Sequence, residues 1–206
     1  MITYRLFMDG VFQGKKTEMA LNLWKHFLDK GFKSDVTLHN IIIHGLCSAG
    51  KVEDALQLYS KMKQWNCIPN LVTHNTLMDG LYKAQDCEKA SEIWARILED
   101  GLQPDIISYN ITLKGLCSCS RISDAVGYLN HALNHGILPT VITWDILDSI
   151  SPSWRSGELS KTWITKLAHQ IPVAIANRFN SGYVAKSFML LLAGFAWYSL
   201  CKSTYF

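Results

Sequence analysis

Between residues 36 and 70, apolar side chains fall at two helical spacings separated by a break. Leu38, Ile41, Ile42 and Leu46 recur three or four positions apart, and Gly50 stands where such a helix stops. Val52, Ala55, Leu56, Leu58, Tyr59 and Met62 form a second stripe of the same period. Asn66 and Pro69 close it, because proline cannot continue a helix and disfavours helix at the residue before it. The pattern predicts a helical hairpin, and no strand-like alternation of any length competes with it.

The same 35-residue unit recurs from the first methionine. The predicted repeats span 1–35, 36–70, 71–105 and 106–140. A degenerate fifth copy begins at 141–150, and 151–206 form a helical tail outside the repeat, expected to be either capping helices or unselected sequence. Units close on Ser34-Asp35, Pro69-Asn70, Pro104-Asp105 and Pro139-Thr140. New units open on Ile2-Thr3-Tyr4, Val72-Thr73-His74, Ile107-Ser108-Tyr109 and Ile142-Thr143-Trp144. Gly10, Gly45, Gly80 and Gly115 share one position of the first helix, and Ala20, Ala55, Ala90 and Ala125 one of the second. Small residues kept in register mark close helix approaches. A fixed period of this length predicts an all-α solenoid in which no hairpin buries its apolar face alone. The first residue already stands at position 1 of a repeat, so the chain is expected to be a piece of a longer protein.

Asn40, Asn75 and Asn110 occupy the fifth position of three successive repeats. On a helical wheel Asn40 lies roughly opposite the Leu38/Ile41/Ile42/Leu46 stripe, which predicts that it faces the groove. The plainer alternative is a helix-capping or solvated asparagine, a residue type suited to both. Three in register, each followed 30 positions later by Asn70, Asp105 and Thr140, favour recognition.

Charge changes the picture little. The net charge is +3, and residues 1–140 hold 14 basic and 14 acidic side chains, so bulk electrostatics give no case for a nucleic acid. Apolar residues make up 49% of the chain, enough for a core. The six cysteines follow no disulfide-framework spacing and no secretory signal opens the chain, which predicts free thiols in a reducing compartment. Cys117-Ser118-Cys119 lacks a second pair for zinc. The Asn110-Ile111-Thr112 sequon reads as chance. His131 and His135 have i, i+4 spacing but no H-E-x-x-H, so a solvated face is expected. Ser187–Cys201 is an uncharged run of 15 residues. As a helix it would span about 22 Å, short of the roughly 30 Å hydrocarbon core, so a packing helix is expected and a membrane anchor is not. Nothing predicts a cofactor, a small-molecule substrate or catalysis.

The period, Ser108-Tyr109-Asn110, Lys114-Gly115-Leu116-Cys117 and the terminal Pro-Asp resemble the pentatricopeptide repeat family, plain class, found mainly in plant organelles. The tetratricopeptide family, with a 34-residue period, fits worse. The resemblance covers residues 1 to about 149. It implies a right-handed solenoid with first helices inside and second helices outside. It also implies binding of single-stranded RNA at one base per repeat, in mitochondria or chloroplasts, although no transit peptide is visible. Base readers in that family stand at positions 5 and 35. Here these are Arg5 with Asp35, Asn40 with Asn70, Asn75 with Asp105 and Asn110 with Thr140, while Asp145 opens a fifth unit. Asn75/Asp105 implies uracil, Asn40/Asn70 a pyrimidine leaning to cytosine, and Asn110/Thr140 a weak pyrimidine preference. Arg5 is off-pattern: it can meet a phosphate, stack on a base or pair with an acid. Sandwiching residues at position 2 are Ile2, Thr37, Val72, Ile107 and Ile142. Other RNA-processing proteins are further partners the resemblance allows. Each base contact contributes about 1–3 kcal/mol, against an association cost of roughly 4–15 kcal/mol, so four repeats should bind RNA weakly. A peptide-binding scaffold of tetratricopeptide type and a nonfunctional fragment are the alternatives.

Overall fold

The computed structural model describes residues 2–31, 35–137, 139–140, 142–143 and 145–146. The tail at 151–206, with the uncharged run Ser187–Cys201, lies outside the described residues. Among the described residues there are eight α-helices and one short 3-10 segment, and no strand. In order they are α1 (Ile2–Gln13), α2 (Thr17–Asp29), α3 (Val36–Ser48), α4 (Val52–Met62), the 3-10 turn Lys63–Trp65, α5 (Leu71–Lys83), α6 (Cys87–Glu99), α7 (Ile106–Ser118) and α8 (Ile122–Asn134). The chain divides into two compact units, Met1–Leu129 and Asn130–Phe206.

Within the first unit, the first helices α1, α3, α5 and α7 form a continuous row, each packed on the next, with α4 beside α3 and α6 beside α5. The stacking is keyed by the recurrent glycine. A Cβ added at Gly45 would stand 2.2 Å from the Phe12 ring, at Gly80 2.5 Å from Cys47 Sγ, and at Gly115 2.0 Å from the Tyr82 ring. The twelfth residue of one hairpin thus fills the notch left at the tenth residue of the next, a close approach only glycine permits. Ala20, Ala55, Ala90 and Ala125 are all buried, as their register predicts.

A second periodic contact joins position 24 to position 4 of the following repeat. Trp24 meets His39 edge-on at 5.1 Å between ring centroids, Tyr59 meets His74 at 5.5 Å, and Trp94 meets Tyr109 at 5.0 Å. Edge-to-face pairs at these separations add to the burial of their rings. His39 and His74 are fully buried, and both hold a defined tautomer. Each Nδ1–H donates to a backbone carbonyl one turn back, Asp35 and Asn70 respectively, at 2.9 Å. His74 Nε2 then accepts from the Tyr59 hydroxyl at 3.0 Å. His39 Nε2 has no partner, and burial holds its pKa down to about 4.

The turns repeat as faithfully as the helices. Lys15, Gly50, Gln85 and Ser120, all at position 15, take positive φ, and so do Gly31, Asn66, Gly101 and Gly136 at position 31. After position 15, Lys16, Lys51, Asp86 and Arg121 donate back to the carbonyls of Val11, Leu46, Leu81 and Leu116, the closing bond of a Schellman motif. Gly50 therefore ends its helix as the sequence predicts. Elsewhere the same left-handed turn is made by residues that give no such signal.

The cysteine expectation is corrected. Cys87, at position 17 of the third repeat, and Cys119, at position 14 of the fourth, form a disulfide with a Cα–Cα separation of 6.9 Å. The equivalent positions elsewhere hold Thr17 with Ala49 and Val52 with Ala84. The 32-residue separation follows no framework spacing, because solenoid stacking rather than loop closure brings the two together. Cys47 and Cys117 are free thiols, and burial raises their pKa to about 12 and about 11, which disfavours the thiolate.

In the second unit, His135 Nδ1 donates to the His131 carbonyl at 2.8 Å and the two rings stack at the helix end. No group of three or more potential ligands forms among the described residues. No helix among them is long and apolar enough to cross a membrane.

Candidate functional site

The residues that close the first three repeats are the N-caps of the first helices that follow. Asp35, Asn70 and Asp105 precede α3, α5 and α7 with extended backbone, and their side chains accept from the amides of Leu38, Thr73 and Ser108 at 2.9, 3.1 and 2.9 Å. Asn70 and Asp105 complete capping boxes, their own N–H groups donating to Thr73 Oγ1 and Ser108 Oγ. Capping therefore falls to position 35, and the asparagines at position 5 are released from it. In the second unit the Thr140 N–H donates to Thr143 Oγ1 at 2.9 Å.

The fifth residues lie one turn into successive first helices and differ from rung to rung. Arg5 forms an ion pair with Asp35, both side chains about one-third exposed, so of the roles open to it acid pairing is the one observed. Asn40 is half-buried; its Nδ2 donates to Asn70 Oδ1 at 3.3 Å, and its Oδ1 accepts from the Thr73 hydroxyl at 2.7 Å. Asn75 is only 7% exposed, and its Oδ1 has no hydrogen-bond partner. Asn110, in α7, is half-buried. The amides are thus less open than the helical wheel predicts. The buried stripe of α3 is Leu38, Ile42, Ile43 and Leu46, with Ile41 only half-buried, so it is rotated toward the asparagine side.

Three positions before each reader, the second residue stands on the same helix face. Val72 and Ile107 are each 57% exposed and Thr37 is exposed, a row left outside the core in register; in the second unit Ile142 is 62% exposed. The Ile2 position begins α1. A buried, unsatisfied amide oxygen beside exposed β-branched side chains can accept a hydrogen bond from a flat group held by apolar contact. The basic residues Lys51, Lys63 and Lys89, on the second helices and their ends, are engaged in ion pairs between repeats, with Glu18, Asp100 and Glu53. A depression elsewhere, lined by Lys51, Glu53, Leu81 and Asp86 among others, takes none of its lining from positions 2, 5 or 35.

Sequence reasoning missed two participants. Thr73 and Ser108, at position 3, are fully buried and carry the hydroxyls that meet the cap and, for Thr73, the preceding asparagine. Their signal was the hydroxyl two residues before the reader in Thr73-His74-Asn75 and Ser108-Tyr109-Asn110.

Comparison with known proteins follows the same repeats. No curated protein sequence matches the chain. Maize PPR10, a pentatricopeptide repeat protein, superposes with a TM-score of 0.68 at 15% identity, over 87% of this chain and 26% of its own. PPR10 in complex with an 18-nt psaJ RNA element gives 0.70 at 17% identity, over 84% and 26%. The PPR domain of Arabidopsis thaliana protein-only RNase P 1, in complex with tRNA, gives 0.61 at 14% identity, over 92% and 96%. The chain thus spans about a quarter of the length of PPR10. The PPR repeat family model matches residues 34–83 and 69–118, a PPR repeat model matches 107–137, and the chain belongs to the pentatricopeptide repeat family.

Proposed function

We propose that the row of first helices binds single-stranded RNA, one base per repeat, with a preference running pyrimidine–uracil–pyrimidine across Asn40, Asn75 and Asn110. The observation that carries this reading is the Asn75 rung. A nearly buried amide oxygen without a partner sits three residues beyond exposed Val72, and exposed Ile107 holds the equivalent place one repeat on. Buried polar groups are normally satisfied, so an unsatisfied one in register with two similar amides implies a ligand donor. A splayed base supplies both the flat apolar face and the N–H, and RNA is read in this way where bases are unstacked. The complexes of PPR10 with an 18-nt RNA element and of the RNase P domain with tRNA support RNA as the partner. The proposed setting is RNA processing, stability or translation in a mitochondrion or chloroplast. The chain acts there by occupying a site or recruiting other proteins, not by catalysis.

Gel shifts with short RNA oligomers, with and without uracil opposite the third repeat, test the reading. Asn75→Thr, which leaves a Thr–Asp pair with Asp105, should move the preference at that one base from uracil toward guanine. A preference that stays put overturns the base-reading assignment.

A further inference from the structure

Resting on the base-reading proposal above, we infer that the hydroxyl of Thr73 is a positioning group that fixes which end of the Asn40 amide is offered to RNA, and that Asp105 denies Ser108 the same role toward Asn75.

The hydrogen-bond geometry of the two rungs carries the argument. Thr73 Oγ1 lies 2.7 Å from Asn40 Oδ1 and 3.0 Å from Asn70 Oδ1. A hydroxyl has one hydrogen to give. Asn70 Oδ1 already accepts from the Thr73 amide at 3.1 Å and from Asn40 Nδ2 at 3.3 Å. Asn40 Oδ1, at the shorter distance, is therefore the better acceptor. The Asn40 amide is then held at both ends: Thr73 fixes its oxygen by one hydrogen bond, one Nδ2 hydrogen points at Asn70, and the second Nδ2 hydrogen is turned outward for a ligand. Such a rung suits a base that presents an acceptor, as cytosine does at its ring nitrogen.

The next rung differs at two groups, with Asp105 for Asn70 and Ser108 for Thr73. Asp105 is a carboxylate where Asn70 is an amide, and Ser108 Oγ donates to Asp105 Oδ1 at 2.9 Å. A carboxylate accepts only, and bonds to it are stronger than those to a neutral amide oxygen. The hydroxyl is drawn to the charge, and Asn75 Oδ1 is left without a partner. That oxygen suits a base carrying an N–H, as uracil does. The cap residue thus acts on the reader indirectly, by capturing or releasing a hydroxyl that neither position 5 nor position 35 contains.

A role for Thr73 in capping alone would change stability and overall affinity, but not the ratio of affinities for two bases. The test is a fluorescence-anisotropy comparison of oligomers carrying cytosine or uracil opposite the second repeat, with the base opposite the third repeat varied as an internal control. Thr73→Val should reduce the cytosine-over-uracil ratio at the second repeat about fivefold, the worth of one hydrogen bond. It should leave the ratio at the third repeat unchanged, and Thr73→Ser should restore the parent value. In an Asn70→Asp background, where the hydroxyl is already captured, Thr73→Val should have no further effect on the ratio. Ser108→Val should likewise leave the uracil preference at the third repeat in place. Leu38 occupies position 3 of α3 without a hydroxyl, so the fold accommodates its loss. A parent chain that binds RNA with selectivity that Thr73→Val does not alter overturns this inference alone. So does an equal loss in both backgrounds. A parent chain that binds no RNA removes the base-reading proposal and this one with it.

Discussion

The first repeat and the third are built from similar residues and bury them very differently. In the third, His74 at position 4 and Leu77 at position 7 are fully buried, and the Gly80 notch is filled by Cys47. In the first, Tyr4 is 38% and Phe7 50% exposed at those same positions, and a Cβ on Gly10 would meet nothing within 4 Å. The Tyr4 ring packs back on Phe27 of its own hairpin, whereas His74 packs under Tyr59 of the hairpin before it. Burial at a given position is therefore conferred by the preceding unit and not by the residue. This is the nearest-neighbour behaviour of a solenoid, and it makes the same substitution harmless in one copy and costly in another.

The largest effect that would break or sharpen this contrast is at Gly115. Its Cβ direction runs into the Tyr82 ring, itself buried, so Gly115→Ala should destabilise by about 2–3 kcal/mol through overpacking, measured as the fall in urea midpoint. Next comes acid sensitivity at position 4. Burial lowers the His39 pKa to about 4, while the unfolded chain titrates near its ordinary 6.5, so the unfolded state binds more protons between those values. Stability is then fully present above about pH 6.5 and is lost as pH falls toward 4. The loss attributable to His39 is about 2 kcal/mol between pH 7 and 5. His39→Tyr, the residue of the first and fourth repeats, should remove that share from urea titrations at the two pH values. A smaller effect is expected at the caps: Asp105→Ala should cost about 1 kcal/mol in the same assay by freeing the Ser108 amide. Smallest, and opposite in sign, Gly10→Ala should stabilise by about 0.5–1 kcal/mol through helix propensity alone. Equal penalties at Gly10 and Gly115 would erase the distinction between the two repeats.

Much of this was legible because the sequence states each feature several times over. The period placed the hairpins, Gly50 and Pro69 marked two helix ends, and the recurrent glycines and alanines named the contact points. What stayed hidden depends on neighbours in space. No periodicity distinguishes Asn75 from Asn40, because the difference is whether a hydroxyl 33 residues later turns toward the amide or toward a carboxylate. Ile41 and Ile43 exchange roles relative to the wheel because α3 is buried by helices on more than one side. Lys15, Gln85 and Ser120 take left-handed backbone without a glycine to announce it. The Cys87–Cys119 pair is visible only once repeats three and four are stacked.

One double duty has a consequence for how such chains can diversify. The residue that closes a repeat must also hold the amide of the helix that follows, and in the first three repeats it is Asp, Asn and Asp in turn. Only a short side chain with an oxygen near the backbone does this well. The alphabet open to that position is therefore a handful of letters, set by helix chemistry before any ligand is involved. Evolution of a new target must spell with those letters or sacrifice the start of the next helix.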